Sequence, residues 1–170
     1  VVRMEAYDIS NISGFESVGS MVVYEKGRPK RSDYRKFKIK WVQGPNDYAS
    51  MEEVLTRRFT HESNGEFDSF AKMPDLLLMD GGRGQVSAAK EALAGTALAD
   101  VPLYGMVKDD HHRTRAIVDS EGREIAINMN RGTFTFVTAI QDETHRFANA
   151  YRKQQMKQKS YSSTLTEVPG

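Results

Sequence analysis

Asp75-Leu76-Leu77-Leu78-Met79-Asp80-Gly81-Gly82-Arg83-Gly84 is the stretch on which the reading of the fold turns. Its DLLLM portion is a continuous apolar run, the pattern of a strand covered on both faces, as in a sheet with helices on either side. The run stops at an acid followed by three glycines within four positions. There the backbone can turn sharply, leaving the Asp80 carboxylate exposed at the strand's carboxyl end. Gln85 to Leu93 reads as a helix and Leu103 to Val107 (LYGMV) as a second buried strand, which closes a βαβ unit.

Towards the amino end, Tyr7 to Ser10 and Val18 to Tyr24 are strand signals joined by the Ser-, Asn- and Gly-rich Ser10 to Ser17. Lys26-Gly27-Arg28-Pro29 is a turn. Phe37, Ile39 and Trp41 alternate with Lys36, Lys38 and Lys40, which predicts a half-buried strand with a basic outer face. These three runs predict an antiparallel meander. Gly44-Pro45-Asn46-Asp47 then breaks the pattern, and Met51, Val54, Leu55 and Phe59 follow at helical spacing. Thr60 to Met73 is a polar loop. Towards the carboxyl end, Arg115 to Val118 and Glu124 to Asn128 flank Ser120-Glu121-Gly122 as a hairpin. From Thr133 onward Phe136, Ile140, Phe147 and Tyr151 mark a long helix. Beyond Lys153 the composition is that of a polar linker. There is no internal repeat. The expected fold is α/β: a mixed sheet of three antiparallel strands and then βαβ units, flanked by helices, with sites at the carboxyl ends of the inner strands.

A chain of 170 residues predicts one domain plus a tail. Its 24 basic and 23 acidic side chains leave a net charge of +1, which excludes a histone-like polycation but not local patches. Glu25 to Lys40 holds eight Lys/Arg against two acids, and Arg146 to Gly170 five against one. Both stretches include aromatics, a combination that suits a nucleic-acid backbone, although a solvated strand face and a helical tail would look the same. The absence of Cys excludes disulfides, thiol nucleophiles and Cys-ligated metal, and fits a reducing compartment. No apolar run approaches the length of a membrane span. The abrupt ends suggest a piece of a longer protein, expected to be monomeric as a fragment.

Four places can carry chemistry. Asp8 sits between Tyr7 and Ile9, where an acid is costly unless paired or bound to metal; it could equally cap the following turn. Asp80 could face a site, cap the next helix or belong to a glycine nest, but the spacing is not that of a nucleotide-binding loop. His145 falls on a polar helix face with Gln141, Asp142, Asn149 and Arg152. There it is either solvated or a metal ligand, if that face looks onto the strand ends. In Asn46-Asp47-Tyr48, helix capping by Asn46 or by Asp47 is the plain reading. Asp109-Asp110-His111-His112 is read as a charged loop, because consecutive residues rarely converge on one ion. Carboxylates and an imidazole without Cys suit a hard divalent cation such as Mg²⁺ or Mn²⁺. Two such ions about 4 Å apart can hold the attacking water and the leaving oxygen of a phosphodiester.

Tyr7-Asp8-Ile9-Ser10-Asn11-Ile12-Ser13-Gly14, Asn46-Asp47-Tyr48-Ala49-Ser50-Met51, Leu78-Met79-Asp80-Gly81-Gly82-Arg83-Gly84-Gln85 and Gln141-Asp142-Glu143-Thr144-His145-Arg146-Phe147-Ala148 stand in this order. Together, over about residues 4 to 155, they resemble the C-terminal endonuclease domain of the UvrC family, which belongs to bacterial nucleotide excision repair. The resemblance implies a ribonuclease H-like fold over residues 1–155. Residues 156–170 would form a linker towards a helix-hairpin-helix module. It implies that Asp8, Asp80 and His145 hold Mg²⁺ or Mn²⁺, that Asp47 supports them, and, through Val107-Lys108-Asp109-Asp110-His111-His112-Arg113, that Lys108 and Asp110 contribute. It further implies incision of damaged double-stranded DNA on the 5′ side of a lesion, with UvrB as partner and UvrA upstream, in the cytoplasm. The competing expectation is a catalytically silent scaffold that binds nucleic acid or repair partners. A third is a nucleotide-phosphate module built on Gly81, Gly82 and Gly84.

Overall fold

The computed structural model describes residues 2–12, 16–60, 72–127 and 130–167. Within them one mixed sheet of eight strands is covered on both faces by helices. β1 (Arg3–Ile12) and β2 (Glu16–Glu25) run antiparallel, with Asp8 opposite Ser20. Two short strands, β3 (Arg28–Pro29) and β4 (Arg35–Lys38), pair successive parts of the outer edge of β2. On its other side β1 pairs in parallel with β5 (Leu76–Asp80), and β5 in parallel with β6 (Leu103–Lys108). The antiparallel β7 (Thr114–Val118) and β8 (Glu124–Ala126) complete the sheet.

The apolar run in β5 is explained by burial on both sides: Leu77, Leu78 and Met79 are all buried, though successive side chains point to opposite faces. α1 (Asp47–Thr60) and α2 (Arg83–Leu93) cover one face, α3 (Arg131–Glu167) the other. The phase of β1 shows which residues meet which helix. Glu5 reaches Arg58 of α1, and Asp8, three positions on, therefore faces α3. Asn46 caps α1 through its side chain, which accepts the Ala49 amide at 3.1 Å. That settles the capping question in favour of Asn46.

The turn after β5 depends on close backbone approach. Gly81 has φ +150°, and a Cβ on Gly105 of β6 would run into the Gly81 carbonyl and Val86. Gly105 thus lets the chain turn from Asp80 into α2 directly over the neighbouring strand.

Four expectations need correction. The predicted strand through Trp41 ends at Lys38. The amides of Lys40, Trp41 and Val42 turn to the carboxylate of Glu53 rather than to a neighbouring strand, and Trp41 is 57% exposed rather than on a buried face. Lys36 does not lie on a solvated basic face either: its ammonium donates to the Phe147 carbonyl of α3 at 2.8 Å. Past Lys153 the backbone stays helical to Glu167, where composition predicts a linker. Extending a helix already held by an amphipathic segment costs little, so a polar sequence can continue it. The hairpin is shorter than expected, ending at Ala126. Most of the polar loop between Thr60 and Met73 lies outside the described residues.

The amino end of β1 carries a buried charge network. Glu5, fully buried, accepts hydrogen bonds from Arg3 (3.0 Å), Arg58 (2.9 Å) and the Tyr7 hydroxyl (2.5 Å). Arg3 also reaches Glu25 and Asp33. This ties β1 to α1 and to the turn before β4.

Candidate metal centre

Asp8, Asp80 and Lys108 project from the carboxyl-terminal parts of the adjacent parallel strands β1, β5 and β6. Asp80 pairs with Met106, and Lys108, two residues further, falls on the same face. α3 lowers His145 onto that face. One ligand atom each from Asp8, Asp80 and His145 lies within 4.8 Å of the others, the one such group among the described residues. The sheet thus joins residues from three distant segments, as expected of a site at the carboxyl ends of inner strands.

Gln141 stands one turn before His145 and so shares its face. It is buried, donates to Asp80 Oδ1 at 2.9 Å and meets the Thr114 hydroxyl. It therefore orients the carboxylate. In the sequence the signal for this role is the spacing of four residues from Gln141 to His145, which puts both on one helix face. Asp47, the first residue of α1, is exposed and only 3.5 Å from the Asn11 amide nitrogen. It lines, with Asp80, Tyr48 and Gly81 to Gly84, a cleft of about 690 Å³ beside the triad. Asp110 is exposed in the β6–β7 turn and takes no part in the triad. Asp109 organises that turn, accepting the His111 and Arg113 amides.

The electrostatics set the protonation of the carboxyl pair. Burial pushes the Asp8 carboxyl up to about 9, and the neighbouring Asp80 charge adds to the effect. Burial pushes Asp80 up too, but hydrogen bonds from His145, Asp8 and Gln141 outweigh it and hold Asp80 below the usual carboxylate range. His145 Nε2 lies 2.5 Å from Asp80 Oδ2 and 2.7 Å from the Lys108 ammonium. One ring nitrogen carries either a proton or a lone pair, so it cannot donate to the carboxylate and accept from the ammonium at once. A hard divalent cation would resolve both conflicts, taking the lone pair of the imidazole and neutralising two carboxylates. The residues present fit such an ion.

A pH dependence follows. With its carboxyl pushed up, Asp8 stabilises the metal-free fold fully below the usual carboxylate range near 4 and loses that contribution as pH rises through about 9. A cation held here would have to displace the Asp8 proton at neutral pH. Mn²⁺ affinity should therefore rise by up to about tenfold per pH unit between pH 6 and 8. Calorimetry in buffers of different ionisation enthalpy should show proton release; a pH-independent affinity would contradict the shared proton.

Over residues 1–149 the sequence matches the family described as "UvrC RNAse H endonuclease domain". The chain belongs to that family. Among curated relatives, UvrABC system protein C of Clostridium botulinum (strain Langeland / NCTC 10281 / Type F) is 50% identical over 99% of this chain and 29% of its own length. The protein of the same name from Alkaliphilus oremlandii is 49% identical over 99% of this chain and 28% of its length. The chain thus spans under a third of these relatives. A crystal structure of Ciona intestinalis endonuclease V with an inosine-containing DNA resembles it with TM-score 0.45 and 16% identity, over 64% of this chain and 46% of that one. Membership of the UvrC endonuclease-domain family accords with the observed mixed sheet, two-sided helix cover and polar centre at the strand ends. No helix among the described residues is long and apolar enough to cross a membrane.

Proposed function

We propose that this chain is a divalent-metal-dependent DNA endonuclease domain that makes the 5′-side incision in nucleotide excision repair. The observation that carries the proposal is the convergence of Asp8, Asp80 and His145 within 4.8 Å, in a member of an endonuclease-domain family. The three side chains would hold Mg²⁺ or Mn²⁺. When bound, such an ion polarises water and the scissile phosphodiester and stabilises the charge that develops on its oxygens. Gln141 keeps Asp80 turned towards the ion. Lys108, 3.9 Å from Asp80 Oδ1, offsets the charge of the phosphate being cut. Asp47 supports the centre from the rim of the cleft. The products are a 5′-phosphate and a 3′-hydroxyl. Residues 1–155 would constitute the nuclease unit, and the helical stretch from 156 would lead towards a DNA-gripping module. Damaged double-stranded DNA is the substrate, UvrB the partner that presents it, and the cytoplasm the place of action.

A direct test replaces the matching segment of a full-length curated relative with this chain and maps the cuts on lesion-bearing DNA. Incision on the 5′ side should be restored and should vanish on chelation of divalent ions. Persistence of the cut in chelator would refute metal dependence. A hybrid that binds the lesion-bearing DNA but makes no cut on the 5′ side would point instead to a catalytically silent scaffold.

A further inference from the structure

The segment between β4 and α1 lies along the site edge of the sheet. β4 and β1 both run antiparallel to β2, so they end on the same side. The first part of this segment is rigidly built. Glu53, 2% exposed, accepts the amides of Lys40, Trp41 and Val42 at 2.8, 2.7 and 3.2 Å. Arg57 locks the arrangement, donating to Glu53 at 2.9 Å and to the Lys38 carbonyl at 2.7 Å. Yet the indole this loop carries is 57% exposed. A flexible loop could fold such a ring away; a loop pinned by a buried carboxylate holds it in water, where a large aromatic surface goes unused. Lys38 and Lys40 beside it are exposed too. Further along the same segment Tyr48, equally exposed, lies across Gly84, where a Cβ would collide with its ring, and enters the cleft beside Asp80.

An exposed flat ring that follows two exposed lysines in the chain, at the edge that bears the metal centre, matches a polyanion with flat apolar rings. We propose that Trp41, fixed by Glu53, is a stacking contact for an unpaired nucleobase of the DNA near the cut, with Lys38 and Lys40 meeting the flanking phosphates. This rests on the nuclease reading above and adds a substrate contact outside the metal centre. Base stacking on an aromatic side chain tolerates any sequence, as a repair enzyme requires.

Trp41 is the single tryptophan of the chain, so its emission reports on this contact alone. The chain is titrated, without divalent ion, with a short labelled DNA duplex containing an unpaired tract. The indole emission should fall saturably. By anisotropy of the labelled DNA, Trp41→Ala should bind roughly tenfold more weakly, as for loss of one base stack, and Trp41→Phe should restore most of the affinity. Unchanged emission on DNA binding, or equal affinity of Trp41→Ala, would overturn the proposal and leave the ring to a protein partner. If the emission ignores DNA while the hybrid protein still cuts, only the stacking contact falls. If the emission is quenched but the hybrid makes no metal-dependent cut, the nuclease reading falls and the DNA-binding surface stands.

Discussion

Asp80→Asn in the hybrid protein should reduce 5′ incision by at least about a thousandfold while leaving the domain folded. The size follows from the position of Asp80 in the centre of the triad, where it meets His145, Gln141 and, through its electrostatics, Asp8. Removing its charge halves the negative charge available to a cation. An ion that stabilises the transition state by several kcal/mol takes that stabilisation with it, and each ~1.4 kcal/mol is a factor of ten. Stability should move little. The asparagine carbonyl can still accept from Gln141, and the like-charge conflict with Asp8 disappears, so the Asp8 carboxyl should move down, while burial still holds it above its ordinary range. The measurement is paired: incision rate from gel-resolved products, and Mn²⁺ binding to this chain by calorimetry. Undiminished incision would remove Asp80 from the centre. Lost incision with intact Mn²⁺ affinity would show that it acts on the DNA and not on the ion.

Glu5→Leu should have the largest effect on stability, a loss of about 3–5 kcal/mol. Glu5 is fully buried and receives both Arg3 and Arg58, of which Arg58 is itself about 1% exposed. Deleting the acid takes the carboxylate from the buried Arg58, which keeps a neutral acceptor in the Lys72 carbonyl, while Arg3 retains Glu25 and Asp33; a buried charge that has lost its counter-ion is far costlier than a buried pair. For a chain of this size the midpoint of thermal unfolding should fall by on the order of 10 °C. Arg58→Met in the Glu5→Leu background should recover part of the loss, since replacing both partners by apolar groups restores a balanced core. If the double variant is no more stable than the single one, the pair does not act as a unit. The two ends of β1 therefore contrast. At its amino end acids meet bases, whereas Asp8 faces a second carboxyl group, that of Asp80.

Local patterning carried the sequence reading far. The apolar run ending in Asp80, the strand around Tyr7 and the stripe through Ile140 and Phe147 each reflect which faces are buried, and burial faces are written in residue spacing. Asp8 and Asp80 stand out for the same reason, the one as an acid inside a strand and the other as an acid at the end of an apolar run. Asp47 and Asp110 were proposed through motifs alike, yet one lines the cleft and the other faces solvent in a turn. Trp41 was misplaced because alternation of apolar and charged residues continues past Lys38, while the backbone leaves the sheet for Glu53.

By itself the sequence determined the α/β class and the order of most elements and, with the motifs, singled out Asp8, Asp80 and His145, which the structure brings within 4.8 Å. Tertiary structure alone decided that Gln141 touches that triad, that Glu5 meets Arg58, and that Trp41 stands in solvent. The physical reason is range. Secondary structure and burial follow from neighbours a few residues apart. A hydrogen bond from Gln141 to Asp80 joins segments 61 residues apart, and nothing in either local pattern specifies the partner until the sheet brings them together.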